Sequence, residues 1–151
     1  MTAVELHVDD GGFVRAPQAL VYRRLTDIDA WPTWWHGLQV LPRPPVDGEP
    51  CWAMQLRGAR LRRVRLLVRV HNWRHDLGFS LRLSGDLTGR GEFWLEAAGG
   101  GTVVHHLAVL HTDLPHPMRV LADYRRGVRR GLWGIKDLLQ VETRTSAGLL
   151  P

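Results

Sequence analysis

Polar and apolar positions alternate with a period of two along most of this chain, and the helical period takes over only in a short early stretch and near the end. Val4, Leu6 and Val8 alternate with Glu5, His7 and Asp9, the pattern of a strand with one buried face. Gly11 and Gly12 then predict a bulge before Phe13 to Arg15. Ala16 and Pro17 break the strand, and Leu20, Val21 and Leu25 predict a short helix from about Pro17 to Thr26. The next stretch, Asp27 to His36, predicts a second short helix. Asp27 or Asp29 serves as its N-cap, Pro32 limits its length, and it carries Trp31, Trp34 and Trp35, three of the seven tryptophans. From Gly37 onward short alternating runs recur between turn residues. They predict six strands, at Leu38 to Leu41, Cys51 to Arg57, Arg62 to Trp73, Leu77 to Leu83, Gly91 to Ala97 and Thr102 to Thr112. The separators are Pro42 to Gly48, Gly58 to Arg60, Arg74 to Asp76, Ser84 to Arg90 and Ala98 to Gly101. Connectors this short imply an antiparallel meander.

The period changes over His116 to Glu142. At about 100° per residue, Met118, Leu121, Val128, Leu132, Ile135 and Leu139 fall inside an arc roughly 100° wide. This predicts a long amphipathic helix whose stripe must be buried. Arg125 sits near the middle of that stripe, where a charge needs a partner. Gly127, Gly131 and Gly134 fall on one side, away from the stripe, and at their cost in helix propensity they point to close packing or bending. Thr143 to Pro151 has no periodicity and is expected to be loose. One strand, two helices, six strands and one long helix make an α+β chain. A strongly bent antiparallel sheet closed by the last helix encloses a cavity when the packing between them is incomplete.

Length and composition narrow this picture. With 151 residues, 44% hydrophobic and 23% charged, the chain predicts a single domain over 1–142, with 143–151 as its tail. No run approaches the roughly 18 apolar residues of a membrane span, and a start carrying Glu5, Asp9 and Asp10 lacks a signal pattern, so a soluble cytoplasmic protein without membrane insertion is expected. Cys51 is the only cysteine, which leaves no internal disulfide and no cysteine-based zinc cage. The net charge of +5 rests on arginine, since Lys136 is the only lysine. The densest cluster, Arg57, Arg60, Arg62, Arg63, Arg65 and Arg69, has no aromatic residue within Leu61 to Val70 for base stacking, which argues against a nucleic-acid partner. Alternation instead puts Arg63, Arg65 and Arg69 on a solvated strand face. His105 and His106 project to opposite faces, and His105 and His111 lie roughly 20 Å apart at about 3.3 Å per residue, so no metal site is expected. Neither a nucleophilic triad nor a dinucleotide fingerprint is evident, and no cofactor is expected.

Three stretches carry a family resemblance: Ala16-Pro17 to Thr26 followed by Asp27 to Trp35, then Gly99 to Val103 opening the last strand, then Gly131 to Leu139 near the end of the long helix. The first is similar to the entrance motif APxxxVWxxLTDxxxWPxW. Over Val4 to Glu142 the chain resembles the helix-grip superfamily, called SRPBCC, which includes START lipid-transfer domains, birch-pollen-allergen-like proteins and polyketide cyclases. The resemblance implies a helix-grip fold of about seven strands, in the order β-α-α-β-β-β-β-β-β-α, wrapped around the C-terminal helix. It also implies that Val104, His106, Ala108 and Leu110 point inward on the last strand, which leaves Val103, His105, Leu107, Val109 and His111 outward.

Together with the alternation of Arg62 to Trp73, this gives a candidate lining. Leu66 and Val68, Trp52 or Met54, Phe79, Val104, His106 and Ala108 come from the sheet. Leu121, Arg125, Val128 and Leu132 come from the helix. Trp35 is also counted in the lining; with Trp31 and Trp34 it either seats the short helices against the sheet rim or forms an aromatic gate over the mouth. Outward-facing Leu67, Val103, Leu107 and Val109 suggest a homodimer contact. The family implies binding or transport of a hydrophobic small molecule, lipid, acyl or polyketide-like. The alternative is a polyketide cyclase/aromatase/dehydrase-like enzyme acting on a poly-ketone. In that case Arg125 stabilises an enolate while His106 or Tyr124 moves protons. The simpler readings are that His106 is a satisfied core histidine and that Arg125 snorkels or pairs with a carboxylate at the cavity mouth.

Overall fold

The computed structural model describes residues 4–58 and 62–146. Seven strands form one antiparallel sheet: β1 (Val4–Val14), β2 (Leu38–Val46), β3 (Glu49–Arg57), β4 (Arg63–Arg74), β5 (Gly78–Gly85), β6 (Thr88–Ala98) and β7 (Gly101–Thr112). Their order across the sheet is β1-β7-β6-β5-β4-β3-β2. Helix α1 (Gln18–Thr26) and a 3-10 turn (Ile28–Thr33) separate β1 from β2, and the 30-residue helix α2 (Pro117–Ser146) follows β7. Every strand after β2 pairs with the one before it, as short connectors require, while β1 crosses over to pair with β7. The inner register of β7, Thr102 to Thr112 on even numbers, is buried throughout, and the odd positions from Gly101 to His111 are half-buried.

Several expectations change. No bulge interrupts β1: its pairing with β7 runs unbroken from Val4↔Thr112 to Val14↔Thr102. A Cβ on Gly11 would stand 3.2 Å from the Val104 carbonyl oxygen of β7, a tight approach, whereas one on Gly12 would make an ordinary contact of 3.7 Å with the Leu132 side chain of α2. Strand β2 continues through Pro42 to Pro45, expected as a turn. Prolines fit there because β2 is an edge strand, where a missing N–H breaks no ladder bond. Thr88 to Arg90, expected within a separator, belongs to β6. The separator expected at Gly58 to Arg60 lies in part outside the described residues. So does the tail beyond Ser146, whereas Thr143 to Ser146 extend α2.

The buried face of α2 is wider than the predicted stripe and turned away from its first residue. Met118 is 63% exposed, while Val120, Leu121, Tyr124, Val128, Leu132, Ile135 and Leu139 are buried. Gly127 and Gly131 are also buried, on the side outside the predicted stripe where close packing or bending is expected. At about 100° per residue all these positions span about 140°. One ion pair fastens α1 to this helix, and two further contacts hold α1, the 3-10 turn and the tryptophans together. Arg24 of α1 makes a two-pronged ion pair with Glu142, at 2.6 and 3.2 Å. Trp31 Nε1 donates to the Leu25 carbonyl at 2.8 Å, fixing the 3-10 turn to α1. Trp31, Trp34 and Trp35 pack ring on ring, 5.7 to 5.8 Å between centroids.

Candidate functional site

Helix α2 packs closely along β1 and only lightly on β3 and β4. Its approach to the tryptophans needs residues without side chains. A Cβ on Gly131 would stand 2.7 Å from the Trp35 ring, one on Gly127 3.2 Å from Leu56 Cδ2, and one on Gly134 would run into the Trp34 carbonyl oxygen. Beneath this seam, between helix and sheet, lies a cavity of about 20 Å³, room for about one water molecule. Met54, Leu56, Leu66 and Val68 of β3 and β4, Leu81 and Leu83 of β5, and Phe93 of β6 form its sheet side. Trp31, Trp35 and Leu38 close its rim, and the remaining wall is His106 and Tyr124.

These last two are the polar part of an otherwise apolar lining. His106 comes from the inner register of β7 and Tyr124 from the buried face of α2. They are 1% and 3% exposed, with His106 Nε2 2.6 Å from the Tyr124 hydroxyl. The imidazole also lies over the Phe93 ring, 4.5 Å between centroids. Burial pushes the His106 imidazole down to about 4, opposed by weaker contributions from the Glu92 main chain and the Asp10 carboxylate. The Glu92 main chain is near enough to favour the protonated ring, but no hydrogen bond of full geometry reaches Nδ1. Burial likewise raises the Tyr124 hydroxyl well above its ordinary value, with Asp10 adding to the shift. At neutral pH both groups are therefore uncharged. The pair can donate or accept one hydrogen bond beyond the one it makes internally.

Charges stop at the edge of this cavity. Asp10, opposite His106 in the β1–β7 register and 9% exposed, holds two arginines of α2. Arg129 Nε donates to its Oδ1 at 3.3 Å, and Arg125 Nε lies 3.8 Å from its Oδ2, an ion-pair contact too long for a hydrogen bond. On the other flank of α2, Asp123 is buried and pairs with Arg62 at 2.9 Å and Arg126 at 3.2 Å. The first of these ties the start of β4 to the helix.

Of the candidate residues, Trp35, Met54, Leu66, Val68 and His106 line the cavity, together with Tyr124. Arg125 does not: its side chain is 40% exposed and directed to Asp10. Trp52 shares the inner register but lies beyond the cavity, donating from Nε1 to Asp29 at 2.8 Å. Phe79, Val104, Ala108, Leu121 and Val128 are buried in the core without reaching the cavity, and Leu132 faces a groove beside Gly11 and Gly12. Sequence reasoning missed Trp31, Leu38, Leu56, Leu81, Leu83 and Phe93 as lining residues, and Asp10 as the partner of Arg125. A signal for Asp10 exists: continuing Val4, Leu6 and Val8 by twos reaches Asp10 and then Val14. Among the described residues no group of three or more histidine, cysteine or carboxylate side chains is arranged to hold a metal ion, and no helix is long and apolar enough to cross a membrane.

An open seven-stranded antiparallel sheet holding a long C-terminal helix is the SRPBCC/START-like helix-grip fold, and this chain has it. No protein-family model matches the chain and no curated protein matches it. Solved structures match along nearly its whole length. The Zhui aromatase/cyclase from Streptomyces sp. R1128 is 15% identical, with 95% of this chain and 98% of that one covered, at a TM-score of 0.78. A START superfamily protein from Mycobacterium smegmatis is 14% identical over 88% of this chain and 98% of its own, at 0.71. The allergen Ara h 8.0201 is 16% identical over 91% and 99%, at 0.69. At these identities the likeness is one of fold.

Proposed function

We propose that this protein binds a hydrophobic small molecule in the cavity beneath α2. One observation carries the reading: an uncharged His106–Tyr124 pair, with hydrogen-bonding capacity to spare, is buried in a wall that is otherwise apolar. A polar pair in such a place costs desolvation that aliphatic side chains of the same volume would avoid, whereas an apolar pocket with a few placed polar groups is what a ligand site requires. At about 20 Å³ the cavity is in a closed state, and a ligand opens it. Met54, unbranched and flexible, and the light packing of α2 on β3 and β4 are where room is made. Native mass spectrometry of the protein purified from cells tests this. A stoichiometric apolar adduct, absent from a Met54→Trp variant of unchanged stability, supports the reading; an adduct that survives Met54→Trp removes the cavity as its site.

A second reading, a polyketide cyclase/aromatase/dehydrase-like enzyme, draws on the same pair. A base takes a proton from carbon between two ketones, the enolate carbon bonds to a distant carbonyl carbon, the new alkoxide is protonated, and water is then lost. His106 and Tyr124 are near enough to pass such protons. An imidazole held at about 4 is, however, a weak base, and Arg125, the expected enolate partner, is directed to Asp10. Binding is therefore the reading we favour. Turnover of a poly-ketone that falls by about a hundredfold or more in both His106→Gln and Tyr124→Phe would reverse that preference.

A further inference from the structure

We infer that the cavity selects uncharged ligands carrying a hydrogen-bonding oxygen, and that this oxygen meets the Tyr124 hydroxyl; the inference rests on the binding reading above. No cationic or carboxylate side chain is part of the lining. The charged groups nearest to it are committed elsewhere: Arg125 and Arg129 to Asp10, Arg62 and Arg126 to Asp123. A ligand carboxylate would enter without a counter-charge, on the side of the sheet where the Asp10 carboxylate already stands opposite His106. Burying an unpaired charge costs several kilocalories per mole. An ammonium group would find no carboxylate in the wall either.

Hydrogen-bond accounting supplies the other half. Two hydrogens belong to the neutral pair, and one of them lies in the 2.6 Å contact between His106 and Tyr124. If Nε2–H donates to the phenol oxygen, the phenol O–H is free to donate. If the phenol donates to Nε2, its oxygen offers lone pairs and the imidazole hydrogen sits on Nδ1, which no hydrogen bond of full geometry reaches. In the first tautomer Tyr124 donates its O–H to a ketone or alcohol oxygen, the contact assigned here; in the second its oxygen only accepts, and only an alcohol O–H can use it. The indole N–H of Trp35, another lining residue at 6% exposure, is also buried without a partner. A ketone or alcohol oxygen satisfies such donors without bringing a charge.

Three probes of one ring size separate the possibilities: 2-acetonaphthone, its carboxylate counterpart 2-naphthoate, and 2-ethylnaphthalene, which has no oxygen. Their affinities are measured at pH 7.5 by titration calorimetry against wild type and Tyr124→Phe. The ketone should bind wild type about a hundredfold more tightly than the carboxylate. Tyr124→Phe should weaken the ketone about threefold to tenfold while leaving the hydrocarbon unchanged. A carboxylate bound within threefold of the ketone overturns the charge selection and leaves the binding reading standing. A ketone unaffected by Tyr124→Phe overturns the assigned contact. Failure of both the ketone and the hydrocarbon to bind overturns the binding reading, and this inference with it.

Discussion

His106 makes stability depend on pH in a way that can be worked out from its surroundings. In the unfolded chain its imidazole titrates near 6.5, and burial brings it down to about 4 in the folded protein. Protonation therefore favours unfolding. Above about pH 6.5 the neutral ring sits without penalty, between 6.5 and 4 the unfolded state binds a proton that the native state refuses, and below about 4 the loss levels off. At roughly 1.36 kcal/mol per pKa unit the whole depression amounts to about 3 kcal/mol. Other groups titrate across the same window, so the quantity to measure is the difference between wild type and His106→Gln, which never charges. Urea unfolding of both proteins at half-unit steps from pH 7.5 to 4 gives it. Whatever the difference at pH 7.5, it should move by about 3 kcal/mol in favour of the variant by pH 4. Parallel stability curves, constant to within about 1 kcal/mol, would mean that His106 titrates as an exposed histidine does, and the buried neutral pair would have to be abandoned.

Other substitutions test the packing around it. Gly134→Ala drives a Cβ into the Trp34 carbonyl oxygen; overpacking of about 1–3 kcal/mol outweighs the roughly 1 kcal/mol gained in helix propensity, so the melting temperature should fall. Gly99→Ala, with nothing within 4 Å of its Cβ, should change stability by less than about 1 kcal/mol in the same assay. Tyr124→Phe leaves the buried His106 Nε2 without its partner and should cost about 1–3 kcal/mol by chemical denaturation at pH 7.5. Asp10→Asn removes the carboxylate shared by Arg125 and Arg129; it should destabilise by about 1–2 kcal/mol, and a wild-type stability for this variant would show that the arginines are held by solvent alone.

The sheet was legible because its inner register repeats every two residues over long runs, as in Val104, His106, Ala108 and Leu110 or Val64, Leu66, Val68 and Val70, all of them buried. The helix was legible in position but not in full, since glycine carries no hydrophobic signal. Gly127 and Gly131 point to close packing but read as lying outside the apolar stripe, whereas they belong to the buried face, where Leu56 and the indole of Trp35 come closest. That error turned the predicted stripe toward Met118 and Arg125 and away from Tyr124. Lining residues divide in the same way. Alternation for Leu66 and Val68, and the family resemblance for His106, identify which side of a strand faces inward, but neither says how far along the strand the cavity extends. Phe79 and Val104 accordingly fell in solid core, while Leu81 and Phe93 fell on the cavity wall. The partner of Arg125 was hidden by its charge: Asp10 continues the inward register of Val4, Leu6 and Val8, but a carboxylate carries no hydrophobic signal.

The central claim is that an apolar molecule enters beneath α2, and the seven tryptophans report on it directly. Trp31 and Trp35 line the cavity, whereas Trp73, Trp94 and Trp133 are 43%, 41% and 64% exposed and lie away from it. The measurement is the nuclear magnetic resonance spectrum of the indole N–H groups during titration with 2-acetonaphthone. Saturable shifts of the Trp31 and Trp35 signals, with Trp73, Trp94 and Trp133 unmoved, are the predicted result. Shifts confined to the exposed indoles, or none at all up to the solubility of the probe, would contradict the account.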